Sequence, residues 1–433
     1  MKIFFSTLLA LSGSWASATL QTQSILSDSL TRLSNPGQAD EICAPVRHFA
    51  DGLYSAKDLK DEDELCSLNK STTAAVCPKL NSTNPGLDFY AVPDGQTAQA
   101  FAAANCKPDS KKLAKYKLST SCSYTPSLLS YYHLSRVLGA DLKVPVAVVR
   151  TFDLVHHLEL AKKGYRLSQG LIQETWASLL RELQRGKDSK RRDRLFTSDF
   201  QQSYGALQLN PRGESRYAEF FNGGANNLQR ALNFKNKNPY AKLLASSTGI
   251  DQSVSRTFSQ DSVQSLVQLQ DAANMILMDY LLSQEDRFGN IHALEAWAYV
   301  DAGVVKTKKN LTPEEVQTLG AVKIKKMILK DNDCGVAREN IAQKAELLSL
   351  VRHIEPEVYR RIRLLDRSVD DETVQSFFRQ GLLFTDEDFK TFRTNLKRLS
   401  AHLYESCQSG RLRQDLDSKV YFTSAPLDRS CEI

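Results

Sequence analysis

Two short polar segments carry the residue types best suited to chemistry. In MDYLLSQEDRFGN, which ends at residue 290, Asp286, Arg287 and Asn290 directly follow a hydrophobic helix-like run. In KKMILKDNDCG, a hydrophobic strand-like run leads into Asp331 and Asp333. Phosphoryl transfer needs a carboxylate that accepts a proton, and oxygen ligands for a hard cation such as Mg²⁺. The order of these residues therefore predicts a phosphoryl-transfer site.

Simpler structures also account for these residues. Asp286 and Arg287 would form a surface ion pair worth at most about 1 kcal/mol. Asn and Asp favour turns, so residues 331–333 would then be an ordinary turn. Asp301 is a second candidate for a metal ligand, because it also ends a predicted strand and precedes a glycine. We prefer Asp331, since its neighbours supply more oxygen atoms.

The hydrophobic periodicity predicts the elements that would hold these loops. Strands are expected within residues 88–122 and over 143–153, and helices over the ranges 127–139, 168–184, 338–354, 356–379 and 385–407. A further helix begins at residue 261, with Asp261 as its N-cap, and leads into the Asp286 loop. Thr385 is the expected N-cap of the last helix. Strands in the first part and helices in the second predict an α+β fold with two unequal lobes.

The two loops resemble those of several atypical kinases. DYLLSQEDRFGN is similar to the catalytic loop of the secretory-pathway kinases of the Golgi casein kinase and four-jointed type, and of the HipA-type and phosphatidylinositol kinases. MILKDNDCG resembles the metal-binding motif of the secretory group. The segment 127–150 is similar to the helix and strand that precede these motifs in that group. The resemblance implies a bilobal protein-kinase-like fold with a small β-containing N-lobe and a mainly helical C-lobe.

The resemblance also implies a role for each matched residue. Asp286 would be the catalytic base and Arg287 would brace its loop. Asp331 would bind Mg or Mn, with Asn290 and Asp333 as further ligands. Lys117 would contact the ATP phosphates, with Lys115 as the alternative. Gly95 would belong to a loop over the nucleotide.

Two departures from the kinase pattern leave a second interpretation open. Asp286 and Asn290 are four residues apart, whereas the usual spacing is five. The helix position at which the family carries a glutamate falls near Leu128, and no acidic residue occurs from 110 to 140. The chain is therefore predicted to be either a kinase-like phosphotransferase acting on a hydroxyl of a protein or glycan, or a pseudokinase or nucleotide-binding protein of the same fold.

The N-terminus and the cysteines predict export. Lys2, a short apolar run and the sequence Ala16-Ser-Ala18 form a typical signal peptide, so the protein would be periplasmic or secreted. Eight cysteines without a C-x-x-C pair favour disulfides over a zinc site. No later run reaches the ~18 apolar residues that a membrane helix needs. The net charge of +6 over 433 residues is too small to indicate a nucleic-acid partner.

These observations divide the chain into four predicted segments. They are a signal peptide (1–18), a disulfide-rich extension (19–87), a kinase-like N-lobe (88–155) and a mainly helical C-lobe that carries both loops (156–433). The basic run 185–194 is either a solvated loop or a docking patch for an acidic partner.

Overall fold

The structure is a computed structural model, and it describes residues 30–35, 39–106, 110–337, 339–423 and 430–432. The predicted signal peptide lies outside these residues. Seven strands form one antiparallel sheet in the order β1-β2-β6-β7-β5-β4-β3. They are β1 Thr31–Leu33, β2 Glu41–Ala44, β3 Ala74–Pro78, β4 Gly86–Ala91, β5 Lys112–Lys117, β6 Ala147–Asp153 and β7 Gln202–Leu209.

This sheet extends past the segment boundaries expected at residues 87 and 155. The strands β1, β2 and β3 belong to the predicted extension, and β3 pairs with β4 across the first boundary. The strand β7 lies in the middle of the sheet, between β6 and β5. The sheet-containing lobe is therefore larger than residues 88–155.

Helices cover the sheet and connect its strands. They are α1 Ala56–Cys66, α2 Ala98–Ala103, α3 Thr125–Val137, α4 Leu154–Leu167, α5 Gly170–Arg185 and α6 Arg192–Leu195. The helix α3 ends as predicted, because Gly139 takes the left-handed conformation (φ 62°) that follows a helix C-terminus. The prediction of strands throughout 88–122 is wrong for α2, where Thr97 caps the helix by accepting a hydrogen bond from the Ala100 N–H.

A second sheet and the remaining helices form the other lobe. Its strands are β8 Glu214–Arg216, β9 His292–Asp301, β10 Val304–Lys308 and β11 Val322–Ile328, with β9 paired to the other three. Its helices are α7 Asn227–Lys237, α8 Pro239–Leu244, α9 Gln260–Leu281, α10 Pro313–Leu319, α11 Ile341–Lys344, α12 Pro356–Ser368, α13 Glu372–Ser376 and α14 Asp386–Gln408. The predicted α+β, two-lobed fold is confirmed.

The long helix α9 is the central element of the helical lobe. Almost all of its side chains from Val263 to Leu281 are buried, and it packs against α8, α14 and β11. Its N-cap is Ser259, not the predicted Asp261, because the Ser259 hydroxyl accepts a hydrogen bond from the Ser262 N–H in a capping box. The expected cap of α14 is confirmed at Thr385. The predicted helix over 338–354 is reduced to α11 and a short 3₁₀ segment.

The expectation that most or all of the cysteines are bridged is confirmed. The disulfides are Cys43–Cys66, Cys77–Cys106, Cys122–Cys334 and Cys407–Cys431. Four disulfides fit an exported protein. Among the described helices, none combines the length and the apolar character needed to span a bilayer.

Candidate active site

The two predicted phosphate-binding lysines lie on one strand, β5, of the seven-stranded sheet. Lys115 and Lys117 are two residues apart on β5, so both side chains point to the same face, and both are buried. The intervening Tyr116 points to the opposite face, where it packs against Phe152. Burial lowers the pKa of Lys115, although the nearby Asp331 raises it in part. Both lysines therefore face the loop that carries the predicted metal ligands.

Lys117 is paired with the loop of residues 331–334, called the metal loop after the predicted role of Asp331 and Asp333. Its Nζ atom lies 2.6 Å from Oδ2 of Asp333, and both side chains are buried. Asn84 donates a second hydrogen bond to the same oxygen at 3.1 Å. Burial by itself would raise the pKa of Asp333, but the charge and hydrogen bond of Lys117 hold that pKa below its usual value. Asp333 is therefore an ionised carboxylate fixed from the sheet side.

Asp331 is the second carboxylate of this loop. It takes the left-handed conformation at φ 52°, which turns the chain from β11 into the 3₁₀ segment Asn332–Cys334. Burial would raise its pKa, but Lys115, Lys117 and other lysines hold it well below the usual range. Within the described ranges, no side chain donates a hydrogen bond to its carboxylate. Asp331 is therefore charged and available to a ligand.

A third lysine, Lys79, joins this cluster and was missed by the sequence analysis. It follows β3, in the loop of residues 79–85 that connects β3 to β4. Burial and the charges of Lys117 and Lys115 lower its pKa to about 7. No carboxylate lies within ion-pair distance of it in the part of the chain that the structure describes. The run KLNSTNPG, with its turn residues between two strand-like runs, was the available signal for a hairpin here.

Arg287 anchors the loop of residues 285–290, which carries the predicted base Asp286 and is called the catalytic loop after that prediction. The guanidinium contacts Asp279 on α9 at 2.9 Å, and the ion pair is buried. It also donates to Oδ1 of Asn332 at 2.6 Å and to the Lys330 carbonyl at 2.9 Å. Tyr131 of α3 donates to the same Asp279 carboxylate at 2.6 Å. One buried arginine thus links the catalytic loop to the metal loop.

Asp286 is less firmly held. Its backbone N–H donates to the Gln284 side chain, and its Oδ2 accepts a hydrogen bond of 3.3 Å from Nδ2 of Asn290. Its pKa is raised, first by burial and also by the charges of Asp333 and Asp331, while Arg230 opposes this shift. Asp286 is therefore in the electrostatic field of both metal-loop carboxylates.

The donor set of this cleft fits a hard divalent cation. The carboxylates of Asp331 and Asp333 are oxygen ligands of the kind that Mg²⁺ and Mn²⁺ prefer. The amide of Asn290 donates through its nitrogen to Asp286, so its oxygen remains available as a third ligand. Among the described residues, however, Asp286, Asp331 and Asp333 do not bring three ligand atoms within 4.8 Å of one another. The site therefore has donors of the right chemistry, and their ligand atoms are more widely spaced than in a preformed three-carboxylate site.

The helix α3 holds the metal loop in place. Leu128, the position at which the kinases that the loops resemble carry a glutamate, is buried in the core. Its neighbour Ser127 donates to the Asn332 carbonyl at 2.5 Å, and the Tyr124 N–H donates to the Asp333 carbonyl at 2.8 Å. Lys117 therefore has no glutamate partner on α3, and Asp333 of the metal loop is its carboxylate partner instead.

The predicted nucleotide-loop residue Gly95 and the alternative metal ligand Asp301 do not reach this cleft. Gly95 is exposed in the turn between β4 and α2, at the end of the hairpin remote from Lys117, because β4 pairs Gly86 with Lys117. The loop at the lysine end is instead 79–85. Asp301 is exposed in the β9–β10 hairpin, where it pairs with Lys306 at 2.5 Å.

A cavity of about 830 Å³ opens beside the catalytic loop. Glu285, next to Asp286, lies in its wall together with Tyr124 and Cys122. Arg191 and Arg194, from the basic run of the sequence, also line this cavity, and the Arg194 guanidinium lies over the Tyr124 ring at 5.0 Å.

Comparison with known proteins gives structural similarity only. No protein-family model matches the chain, and no curated protein matches it. The Golgi casein kinase aligns with 13% identity and a TM-score of 0.45, and the alignment covers 86% of this chain and 81% of the kinase. The structure of the Golgi casein kinase with Mn/ADP bound aligns with 13% identity, a TM-score of 0.46 and the same coverage. Fam20 from hydra, in a structure with sugar, aligns with 12% identity and a TM-score of 0.44, and the alignment covers 84% of this chain and 95% of the hydra chain.

These solved structures belong to the group of secretory kinases that the two loop motifs resemble. Because the TM-scores are below 0.5, we base the functional proposal on the geometry of the site itself.

Proposed function

We propose that the protein is an exported phosphotransferase, which transfers the γ-phosphoryl group of ATP to a hydroxyl of a protein or glycan. The observation that supports this most is the convergence of Lys79, Lys115 and Lys117 on Asp331 and Asp333. Lys115 and Lys117 offset the two carboxylates, and Lys79, whose pKa of about 7 leaves it partly protonated at neutral pH, adds further positive charge. Such a surplus favours a polyanion such as a triphosphate.

The chain's own residues divide the work between the two loops. Asp331 and Asp333, with the Asn290 oxygen, would hold Mg²⁺ or Mn²⁺. When bound, that ion neutralises the charge that develops on the transferred phosphoryl group. The three lysines would bind and orient the phosphates. Asp286 would accept the proton of the acceptor hydroxyl, and its raised pKa makes it a stronger base than an ordinary aspartate.

A direct test measures nucleotide binding and turnover separately. Purified, oxidised protein is mixed with ATP and Mn²⁺, and thermal stability and ADP formation are followed with an acceptor mixture of casein and simple glycosides. We expect ATP with Mn²⁺ to raise the melting temperature, because a ligand that binds the folded state stabilises it. Asp286→Asn should keep this shift and lose at least about 100-fold in turnover. Asp301→Asn is the matched control and should behave as wild type.

One observation favours a second function, namely nucleotide binding without transfer. Lys117 has no carboxylate partner on α3, and it neutralises Asp333 instead. A protein that raises its melting temperature with ATP, but shows equal and negligible turnover in wild type and Asp286→Asn, would be a pseudokinase. No shift with ATP and either metal would contradict both functions.

A further inference from the structure

The Cys122–Cys334 disulfide joins two segments that are distant in the sequence. Its halves are 212 residues apart; Cys122 precedes α3, and Cys334 ends the metal loop. Cys122 is partly exposed and lines the cavity beside the catalytic loop. The bridges Cys43–Cys66 and Cys77–Cys106 are instead buried. A small dithiol can therefore reach Cys122 through the cavity.

The surroundings of this bridge contain further metal-ligating atoms. A carboxylate oxygen of Glu285 and the two sulfurs all lie within 4.8 Å of one another. The Glu285 N–H donates to the Cys334 carbonyl at 3.2 Å, which keeps the carboxylate beside the bridge. The three residues come from three separate segments of the chain, so the fold alone brings them together.

The Asn84 side chain completes the set. Its amide nitrogen lies 3.3 Å from the sulfur of Cys122 and 3.6 Å from that of Cys334, and its Oδ1 lies 3.6 Å from the sulfur of Cys122. With a Zn–S bond of ~2.3 Å and a Zn–O bond of ~2.1 Å, a tetrahedral ion separates sulfur and oxygen ligands by roughly 3.6 Å. The Oδ1 spacing fits two ligands on one Zn²⁺ ion, and the amide would have to turn its oxygen towards the ion to serve as a ligand.

We infer that, once the Cys122–Cys334 bridge is reduced, its two sulfurs and the Glu285 carboxylate form a Zn²⁺ site, with Asn84 or a water molecule as the fourth ligand. The reductant is a dithiol, which is oxidised to its own disulfide as the protein bridge becomes two thiols. Zn²⁺ then displaces the two thiol protons and binds the thiolates. Soft thiolates select Zn²⁺ over the Mg²⁺ or Mn²⁺ of the neighbouring carboxylate site.

The experiment uses the full chain under mild reduction. A dithiol is added until alkylation and peptide mass spectrometry show free thiols at Cys122 and Cys334. The dithiol is then removed under argon, and Zn²⁺ is titrated against a chromophoric chelator. We expect one Zn²⁺ per chain, and no such binding by the oxidised protein. Glu285→Gln should weaken the affinity at least about tenfold.

Paired cysteine variants provide the controls. Cys122→Ser with Cys334→Ser should abolish Zn²⁺ binding. Cys407→Ser with Cys431→Ser removes the other partly exposed bridge and should leave it unchanged. Zn²⁺ binding that survives in the first double variant, or that is absent from the reduced wild type while its circular dichroism remains native, would overturn the proposal. The readout uses no nucleotide, so its result is independent of the proposed phosphotransfer.

Discussion

The metal loop and the catalytic loop face one cleft, but they are held very differently. Residues 331–334 are held by contacts from several other segments. Lys117 of β5 and Asn84 of the 79–85 loop bind the Asp333 carboxylate. Ser127 and Tyr124 donate to the backbone carbonyls of Asn332 and Asp333, and Cys122 forms a disulfide with Cys334. Asp286 has only local contacts within its own loop. The rigid loop is suited to holding charge, and the looser one to exchanging a proton.

Arg287 connects the two loops directly through a buried ion pair and hydrogen bonds. It belongs to the catalytic loop, binds Asp279 below it, and reaches Asn332 in the metal loop. The position of Asp286 relative to Asp331 therefore depends on this arginine more than on any contact of Asp286 itself. The predictions below test this contrast between the loops.

The largest expected effect is that of Arg287→Met. The variant leaves Asp279 buried without its cation, and removing one partner of a buried ion pair costs about 3–5 kcal/mol. The free energy of unfolding, measured by urea denaturation with intrinsic fluorescence, should fall by that amount. Arg393→Met removes an exposed pair with Asp370, which solvent screens, and should change the free energy of unfolding far less. Equal losses in the two variants would show that Arg287 does not connect the loops energetically.

A double-mutant cycle on Lys117 and Asp333 should give the next largest effect. The variants are Lys117→Met, Asp333→Asn and their combination, each compared in free energy of unfolding. Because the two side chains form a buried pair, we expect a coupling energy of about 0.5–3 kcal/mol. The same cycle on Asn290 and Asp286, whose 3.3 Å hydrogen bond is only partly buried, should give a smaller coupling. Similar couplings in the two cycles would remove the distinction between a rigid and a loose loop.

The smallest expected effect concerns the pH dependence contributed by Lys79. Its folded pKa of about 7 lies below that of an unfolded lysine, so its charge destabilises the folded state fully below pH 7. This destabilisation is relieved as the pH rises from about 7 towards the unfolded pKa. From pH 6 to pH 9, the free energy of unfolding of wild type should therefore rise relative to that of Lys79→Met.

Two comparisons make the Lys79 measurement decisive. Lys60→Met, at an exposed helix position, should show no such change with pH. Saturating pyrophosphate should reduce the pH dependence, since a bound anion favours the protonated amine. A pH dependence that is the same in Lys79→Met and wild type would contradict the assignment of Lys79 to the phosphate site.

The candidate residues of the two loops follow from local sequence patterns. Asp286 and Arg287 are predicted because a hydrophobic helix ends just before them, and Asp331 and Asp333 because a hydrophobic strand does. Local patterns could not reveal Lys79 or Asn84, because these residues reach the cleft only through the pairing of β3 with β4. The cysteines and turn residues of their segment predict a disulfide-stapled extension, whereas the segment forms part of the sheet.

The sequence by itself determined the residue types of the two loops, the order of the elements before them and the oxidised state of the cysteines. These features depend on neighbours a few positions away, or on composition. Only the tertiary structure decided which partner Lys117 takes and which loop covers the lysines. It also decided that Asp301 lies outside the cleft. Those outcomes depend on pairings between segments up to 250 residues apart, such as Asn84 with Cys334, and local periodicity carries no information about them.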